Sequence, residues 1–387
     1  MNTKEIEYSK RIIAFIDILG FEKIVNESKS NPELISKIAN VLKRSKVIAQ
    51  SALKTKLKLL VVNADQYSHR SFSDMRVISG PYISHDDMSF LSMWLMFSQY
   101  FMWKEEHIFM RGAIVYGDIY EDEDIIFGPA IIDAYHLERD EKKAVWPRIL
   151  IDESLLKKTT KAELKRDFLE FLRQDDDELV YLDYLRELFH LFIVAEQKEI
   201  QGEREKDFGP PIELFKDHKE AILKQVYSAL KEEDENESKK ILRKYAELSK
   251  YHDSTIDKIR QVIKDLTNNY SLIREFYDDQ IKASRARRSG SPYEPKFSAE
   301  EHPEQTDMLN VIGAVMNRIA KNQPKDIFQI RDIVIIGQTE EAKLERGFRI
   351  LLSETPQELS KLDKDIQELM IDIDSFGLEN NKVQKGP

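Results

Sequence analysis

Arg11-Ile12-Ile13-Ala14-Phe15-Ile16-Asp17-Ile18-Leu19-Gly20-Phe21 is the stretch whose reading decides the fold. It is an apolar, β-type run with one carboxylate in its middle, and a glycine closes it at a sharp turn. A buried carboxylate is costly unless it is paired or binds a metal. A second strand-like stretch, Phe72-Ser73-Asp74-Met75-Arg76-Val77-Ile78-Ser79, repeats the arrangement with Asp74. Two lone aspartates on two core strands point to one site. Aspartate oxygens are hard ligands, and a pair of Mg²⁺ or Mn²⁺ ions is the chemistry they suit.

Working outward, Gly20-Phe21 reads as a turn into a helix whose N-terminus would face phosphates. One ion would lower the pKa of an attacking hydroxyl, and the other would neutralise a triphosphate and its leaving group. The parts describe a nucleoside-triphosphate site for attack on the α-phosphate. For either aspartate alone, a strand-end residue capping a turn is the competing reading.

The strand reading covers residues 11–18, 57–62, 72–79, 110–116, 147–152 and 178–184, with 57–62 and 72–79 joined as a hairpin through 63–71. Helical spacing covers 23–52, broken near Asn31-Pro32, then 89–104 and 128–139, where Pro129 suits the first turn. A turn is expected over 118–126. The layout is α/β with an antiparallel component, a sheet covered by helices. Residues 212–285 are helical by spacing, with the acidic break Glu232-Glu233-Asp234-Glu235-Asn236-Glu237. The divisions expected are a catalytic unit over 1–190, a helical extension over 191–285 and a linker over 286–305. A small α/β or helical region over 306–376 and a disordered tail over 377–387 follow.

The 387 residues carry 59 basic and 70 acidic side chains, for a formal net charge of -11, which disfavours non-specific nucleic-acid binding. No cysteine is present, so disulfides, thiolate catalysis and cysteine-zinc sites are excluded. The Met1 region lacks the apolar core of a signal peptide, and the apolar run 90–103 is too short to span a bilayer. A cytoplasmic protein with no membrane span is the expectation.

Phe15-Ile16-Asp17-Ile18-Leu19-Gly20-Phe21 resembles the first metal motif of class III nucleotidyl cyclases. Phe72-Ser73-Asp74 sits where that family has its second metal aspartate, on a hairpin. Arg111-Gly112-Ala113-Ile114 through Gly117, and the helix Phe127-Gly128-Pro129-Ala130-Ile131-Ile132-Asp133-Ala134-Tyr135-His136-Leu137-Glu138, extend the likeness over roughly residues 10–185. The chain most resembles the pyrimidine (uridylate/cytidylate) cyclases of Pycsar antiphage defence systems. Those share the Ile-Asp-Ile-Leu-Gly-Phe start, the Phe-Ser-Asp hairpin, Arg-Gly-Ala-Ile, Pro-Arg-Ile and a later Asp-Tyr-Leu, here Asp183-Tyr184-Leu185.

The resemblance implies a ferredoxin-like cyclase sheet followed by a mainly α-helical C-terminal region. It implies cyclisation of UTP, ahead of CTP, to a 3′,5′-cyclic nucleotide and pyrophosphate. Two divalent cations per site, Mn²⁺ or Mg²⁺, would sit on Asp17, Asp74 and the Ile18 carbonyl. Residues Ile18, Leu19, Gly20 and Phe21 would cradle phosphates, while Phe15, Tyr135 and His136 complete the substrate site. The likeness implies a homodimer with interfacial sites, each completed by the partner's Tyr135–Arg139 helix, and a product that acts on a separate effector.

The family's ribose-orienting asparagine and transition-state arginine fall here on Ile132 and His136. The replacement cation is then Arg139, Arg111 or Arg148. Two rival classes are a degenerate nucleotide-binding sensor and a palm-type cyclic oligonucleotide synthase. Bland readings are preferred for His85-Asp86-Asp87 (a loop), Asp122 to Asp124 (a solvent turn), His107 (packing), Lys23 (a solvated face) and the Arg285–Arg288 cluster (linker).

Overall fold

Ten residues in succession, Ser9–Ile18, form β1, and the strand is covered from Ile12 onward. In this computed structural model the described residues are 7–36, 38–40, 42–43, 66–82, 85–140, 145–159, 171–175, 177–189, 211–268, 282, 286, 289–290, 292 and 356–371. β1 lies at the centre of the sheet, antiparallel to β3 (Met75–Gly80) on one side and β4 (Met110–Glu121) on the other. β2 (Ser68–Phe72) pairs with the outer edge of β3. With α1 (Phe21–Ser28) after β1 and α2 (His85–Glu106) after β3, the first four strands take the order β2-β3-β1-β4. That is the ferredoxin-like arrangement the sequence led us to expect. The sheet continues through β6 (Ile149–Ile151), parallel to β4 and followed by α4 (Glu153–Thr159), then β8 (Val180–Leu182) and β7 (Leu172–Gln174). The short β5 (Ile126–Phe127) pairs with the far end of β4.

Strand alternation sends β1 side chains to two different cores. Ile12, Ala14, Ile16 and Ile18 face the larger one, with α2. Ile13 and Phe15 face the smaller one, where α3 (Pro129–Arg139) packs through Ala130 and Ala134. Asp17 shares the parity of Ile13 and Phe15 and so lies on the α3 side. Helix α2 buries Leu91, Trp94, Met96, Phe97 and Trp103, side chains that point round its whole circumference. Such a helix must be covered on every side. It lies between the sheet and α5 (Pro211–Leu230), which packs on α6 (Glu235–Asn268). Helix α7 (Pro356–Gln367) packs on α6, where Arg260 Nε meets Asp363 Oδ1 at 2.9 Å. One continuous apolar core runs from the sheet through these helices. Among the described residues no helix is long and apolar enough to cross a membrane.

Several expectations are corrected. The stretch 72–79 is not one strand: Phe72 pairs with Met75 across a two-residue turn, Ser73-Asp74, with Ser73 at φ 56°. The hairpin is therefore β2–β3, and residues 57–62 lie outside the described residues. β4 runs on to Glu121, so the turn begins only at Asp122, whose side chain accepts the amides of Asp124 and Ile125. β7 was not anticipated. His85 opens α2 instead of lying in a loop, and the hydroxyl of Tyr67 donates to Asp87 at 3.0 Å. The acidic break is shorter than its composition suggests, because Asp234 caps α6 and Glu235 already begins it. Lys23 pairs with Glu232 at 3.0 Å. Of the region expected over 306–376 only 356–371 lies within the described residues, and the tail over 377–387 lies outside them. So does the Arg285–Arg288 linker cluster, apart from position 286.

Candidate active site

The site is built where the C-terminal end of β1 meets the β2–β3 turn. The Ile18 amide donates to the Asp74 carbonyl at 3.2 Å, which pins that turn to the strand end beside Asp17. Asp74 is partly exposed, and Asp17 is 6% exposed. Burial pushes the Asp17 carboxyl above its usual range, Arg111 pulls it down, and the nearby charge of Asp74 pushes it up again. The Asp74 charge thus reaches Asp17 across the turn, although Asp74 stands on the hairpin and not inside a strand.

Arg111 is the cross-strand neighbour of Asp17 in the β1–β4 ladder. Its Nε donates to Asp17 Oδ2 at 3.1 Å. The same nitrogen lies 2.6 Å from Glu138 Oε1, on the last turn of α3. Glu138 follows Ala130 and Ala134 at four-residue spacing, so the helix delivers it with its apolar stripe. It is fully buried, and neither of its oxygens accepts a hydrogen bond among the described residues. Burial raises its pKa first, and the Asp17 charge adds to that while Arg111 opposes it. The sequence reading placed Glu138 only within a motif and missed it as part of the centre. A carboxylate on an apolar helical stripe was the available signal.

Arg139 stands at the rim, its side chain half exposed, 3.7 Å from Glu138 Oε2 and stacked over the Tyr135 ring at 5.2 Å. Tyr135 in turn meets Phe15 edge-on, with ring centres 5.8 Å apart. Helix α3 therefore brings Tyr135 and Arg139 to the centre of its own chain, while His136 and Ile132 point to solvent. Arg148 is a different case. It is 1% exposed, stacks on Trp146 and Tyr181, and pairs with Asp175 at 3.1 Å and with Asp177, away from Asp17. Its role is to hold the β6–β8 edge. Lys244 of α6 also feels the centre: burial and the Arg111 charge lower its pKa, and Asp17 opposes them.

Gly20 adopts φ 73°, the left-handed region that favours glycine, and starts α1. Of the four residues expected to cradle phosphates, two have amides that are already engaged. The Ile18 amide is engaged by Asp74, and the Leu19 amide donates to the Phe109 carbonyl at 2.9 Å. The amides that a helix leaves without intrahelical acceptors are those of its first turn, here from Phe21 onward.

The donor chemistry fits a divalent cation. Among the described residues no three histidine, aspartate or glutamate side chains gather as a ready metal cage. Mg²⁺-type ions need none, since one or two carboxylates plus water and substrate phosphates commonly complete their shell.

No family model matches the chain, and no curated protein matches it. Among solved structures, the chain is similar to the adenylyl cyclase CyaB from P. aeruginosa, at 15% sequence identity. The likeness covers 46% of this chain and 95% of that one, with a TM-score of 0.31. A likeness of that depth carries no argument about chemistry, and the fold rests on the strand order given above.

Proposed function

We propose that the chain is a class III nucleotidyl cyclase that converts a pyrimidine nucleoside triphosphate, UTP ahead of CTP, to its 3′,5′-cyclic monophosphate and pyrophosphate. One observation carries this reading: the β2–β3 turn is hydrogen-bonded to the end of β1, so that Asp17 and Asp74 share one charged centre next to the Gly20 turn. Asp17 and Asp74 hold Mn²⁺ or Mg²⁺ with the Ile18 carbonyl. When bound, such ions activate a hydroxyl and neutralise phosphate charge.

The chain's own groups bind and orient. The first-turn amides of α1 receive the phosphates. Phe15 and Tyr135 offer an aromatic corner for the base, and Arg139 lends positive charge at the rim, with His136 beside it. The 3′-oxygen bonds to the α-phosphorus as the bond to the β-phosphate bridging oxygen breaks, and the hydroxyl proton leaves to water. Ile132 and Tyr135 are exposed on α3, and we assign that helix to a homodimer contact in which the partner helix closes the site. The cyclic product acts on a separate effector protein in antiviral defence.

The test is incubation with Mn²⁺ and each of the four nucleoside triphosphates, read by mass spectrometry. Cyclic UMP or cyclic CMP supports the reading. Linked dinucleotides support a palm-type synthase instead, and binding without turnover supports a sensor.

A further inference from the structure

Two carboxylates, Asp17 and Glu138, address the single nitrogen Arg111 Nε, yet only Asp17 receives its hydrogen bond. Glu138 sits at 2.6 Å, fully buried, with both oxygens lacking a donor. A buried carboxylate in that state is costly. Its own helix cannot relieve it, because Arg139 approaches only to 3.7 Å. A small rotation of the Arg111 side chain would relieve it, and that rotation would release Asp17.

We infer that Arg111 is a resident counter-ion that occupies Asp17 until a divalent cation displaces it, and that Glu138 is the positioning residue that receives it. The inference rests on the reading of Asp17 and Asp74 as the metal pair. A guanidinium on Asp17 Oδ2 and a divalent cation on the same carboxylate repel one another, so each weakens the other's hold. Glu138 makes the exchange easy, because the arginine passes from one buried carboxylate to another less than one side chain away. In the displaced position Arg111 remains within the site. Its charge then faces the phosphates that arrive with the metal, a duty the exposed His136 is poorly placed to perform. The centre holds Asp17, Asp74 and Glu138 against Arg111 and Arg139, with Lys244 near by. It stays close to electrical balance before the metal binds.

The experiment is Mn²⁺ binding to the full chain without nucleotide, with free Mn²⁺ read from its EPR signal. The decisive protein is the double variant Arg111→Gln/Glu138→Gln. It has the same net charge as the wild type, removes the buried Glu138 carboxylate together with the guanidinium, and leaves Asp17 open to Mn²⁺. We expect it to bind Mn²⁺ about tenfold more tightly, since the competitor is gone. Glu138→Gln alone should bind several-fold more weakly, because Arg111 then rests on Asp17 only. Asp17→Asn should abolish binding.

If the double variant binds no more tightly than the wild type, Arg111 does not compete and the inference fails. If it binds more weakly, Glu138 is itself a ligand and the inference fails in that way. If Asp17→Asn binds as the wild type does, the metal reading has failed beneath it, a result distinct from the other two.

Discussion

Lowering the pH from 7 to 5 should destabilise this protein through two buried histidines, and the structure gives the size of the effect. His252 Nε2 lies 3.1 Å from the Leu369 carbonyl, His218 Nδ1 lies 2.9 Å from His252 Nδ1, and the Tyr184 hydroxyl lies 2.7 Å from His218 Nε2. A carbonyl only accepts, so His252 carries its proton on Nε2 and accepts on Nδ1. His218 then donates from Nδ1 and accepts the Tyr184 hydroxyl on Nε2. One more proton would set two donors against each other in a site with no exposure.

Burial drives both pKa values down: His218, also opposed by charge on His252, falls well below the usual range, and His252 falls to about 4, with the Leu369 carbonyl opposing the fall and Lys219 adding to it. In the unfolded chain both rings titrate near pH 6.5. Below that value the unfolded chain takes up protons that the folded chain refuses, so stability falls as pH falls. The loss begins near 6.5 and continues toward the folded pKa. Between pH 7 and 5 it comes to about 2 kcal/mol per ring, or about 4 kcal/mol for the pair.

His218→Phe keeps the ring packing against Trp103 and Phe109 and removes one titrating group. Urea unfolding at fixed ionic strength, at pH 7, 6 and 5, should show the variant losing about 2 kcal/mol less than the wild type across that range. At pH 7 the variant should itself be weaker by about 2 to 3 kcal/mol, since the Tyr184 hydroxyl and His252 Nδ1 lose their partners. A pH dependence equal in the two proteins would refute the neutral-pair account.

Gly112→Ala should lower stability by about 1 to 3 kcal/mol in thermal unfolding, because its Cβ would collide with the Phe15 carbonyl oxygen and stand 2.6 Å from Ile16 Cδ1. The central strand would have to shift beside Asp17. Gly20→Ala meets no atom within 4 Å and incurs only the left-handed backbone strain, about 1 to 2 kcal/mol, so a folded protein is expected by circular dichroism. Ile132→Glu, on the exposed face of α3, should convert the proposed dimer to monomers in light scattering and reduce turnover, with little change in melting temperature.

The sequence disclosed most of the sheet where strands were long and apolar. β1 is covered on both faces, so its residues form an unbroken apolar run, and Asp17 stood out against it. α3 was legible because Pro129 opens it and Ala130, Ala134 and Glu138 repeat at helical spacing. The β2–β3 turn was misread because Ser73-Asp74 carries no glycine or Asn-Gly signal; Ser73 takes the positive φ itself. β7 was invisible for another reason. Leu172-Arg173-Gln174 has one apolar residue, and the strand is anchored by distant partners: Arg173 bonds Ser254 and Thr255 and stacks on Tyr251. The histidine pair and the Arg111–Glu138 contact join residues far apart in sequence, 34 and 27 positions by subtraction. No local pattern announces such meetings. The engagement of the Ile18 and Leu19 amides likewise depends on the turn and on Phe109, neither of which a motif displays.

The central claim is that Asp17 and Asp74 hold divalent cations together beside the Gly20 turn. Anomalous diffraction from crystals grown with Mn²⁺ and a 3′-deoxy pyrimidine nucleoside triphosphate, which cannot cyclise, tests it most directly. The account predicts manganese peaks ligated by both carboxylates, with the phosphates against the first turn of α1. Manganese elsewhere, or a carboxylate of either residue turned away from the metal, would contradict it.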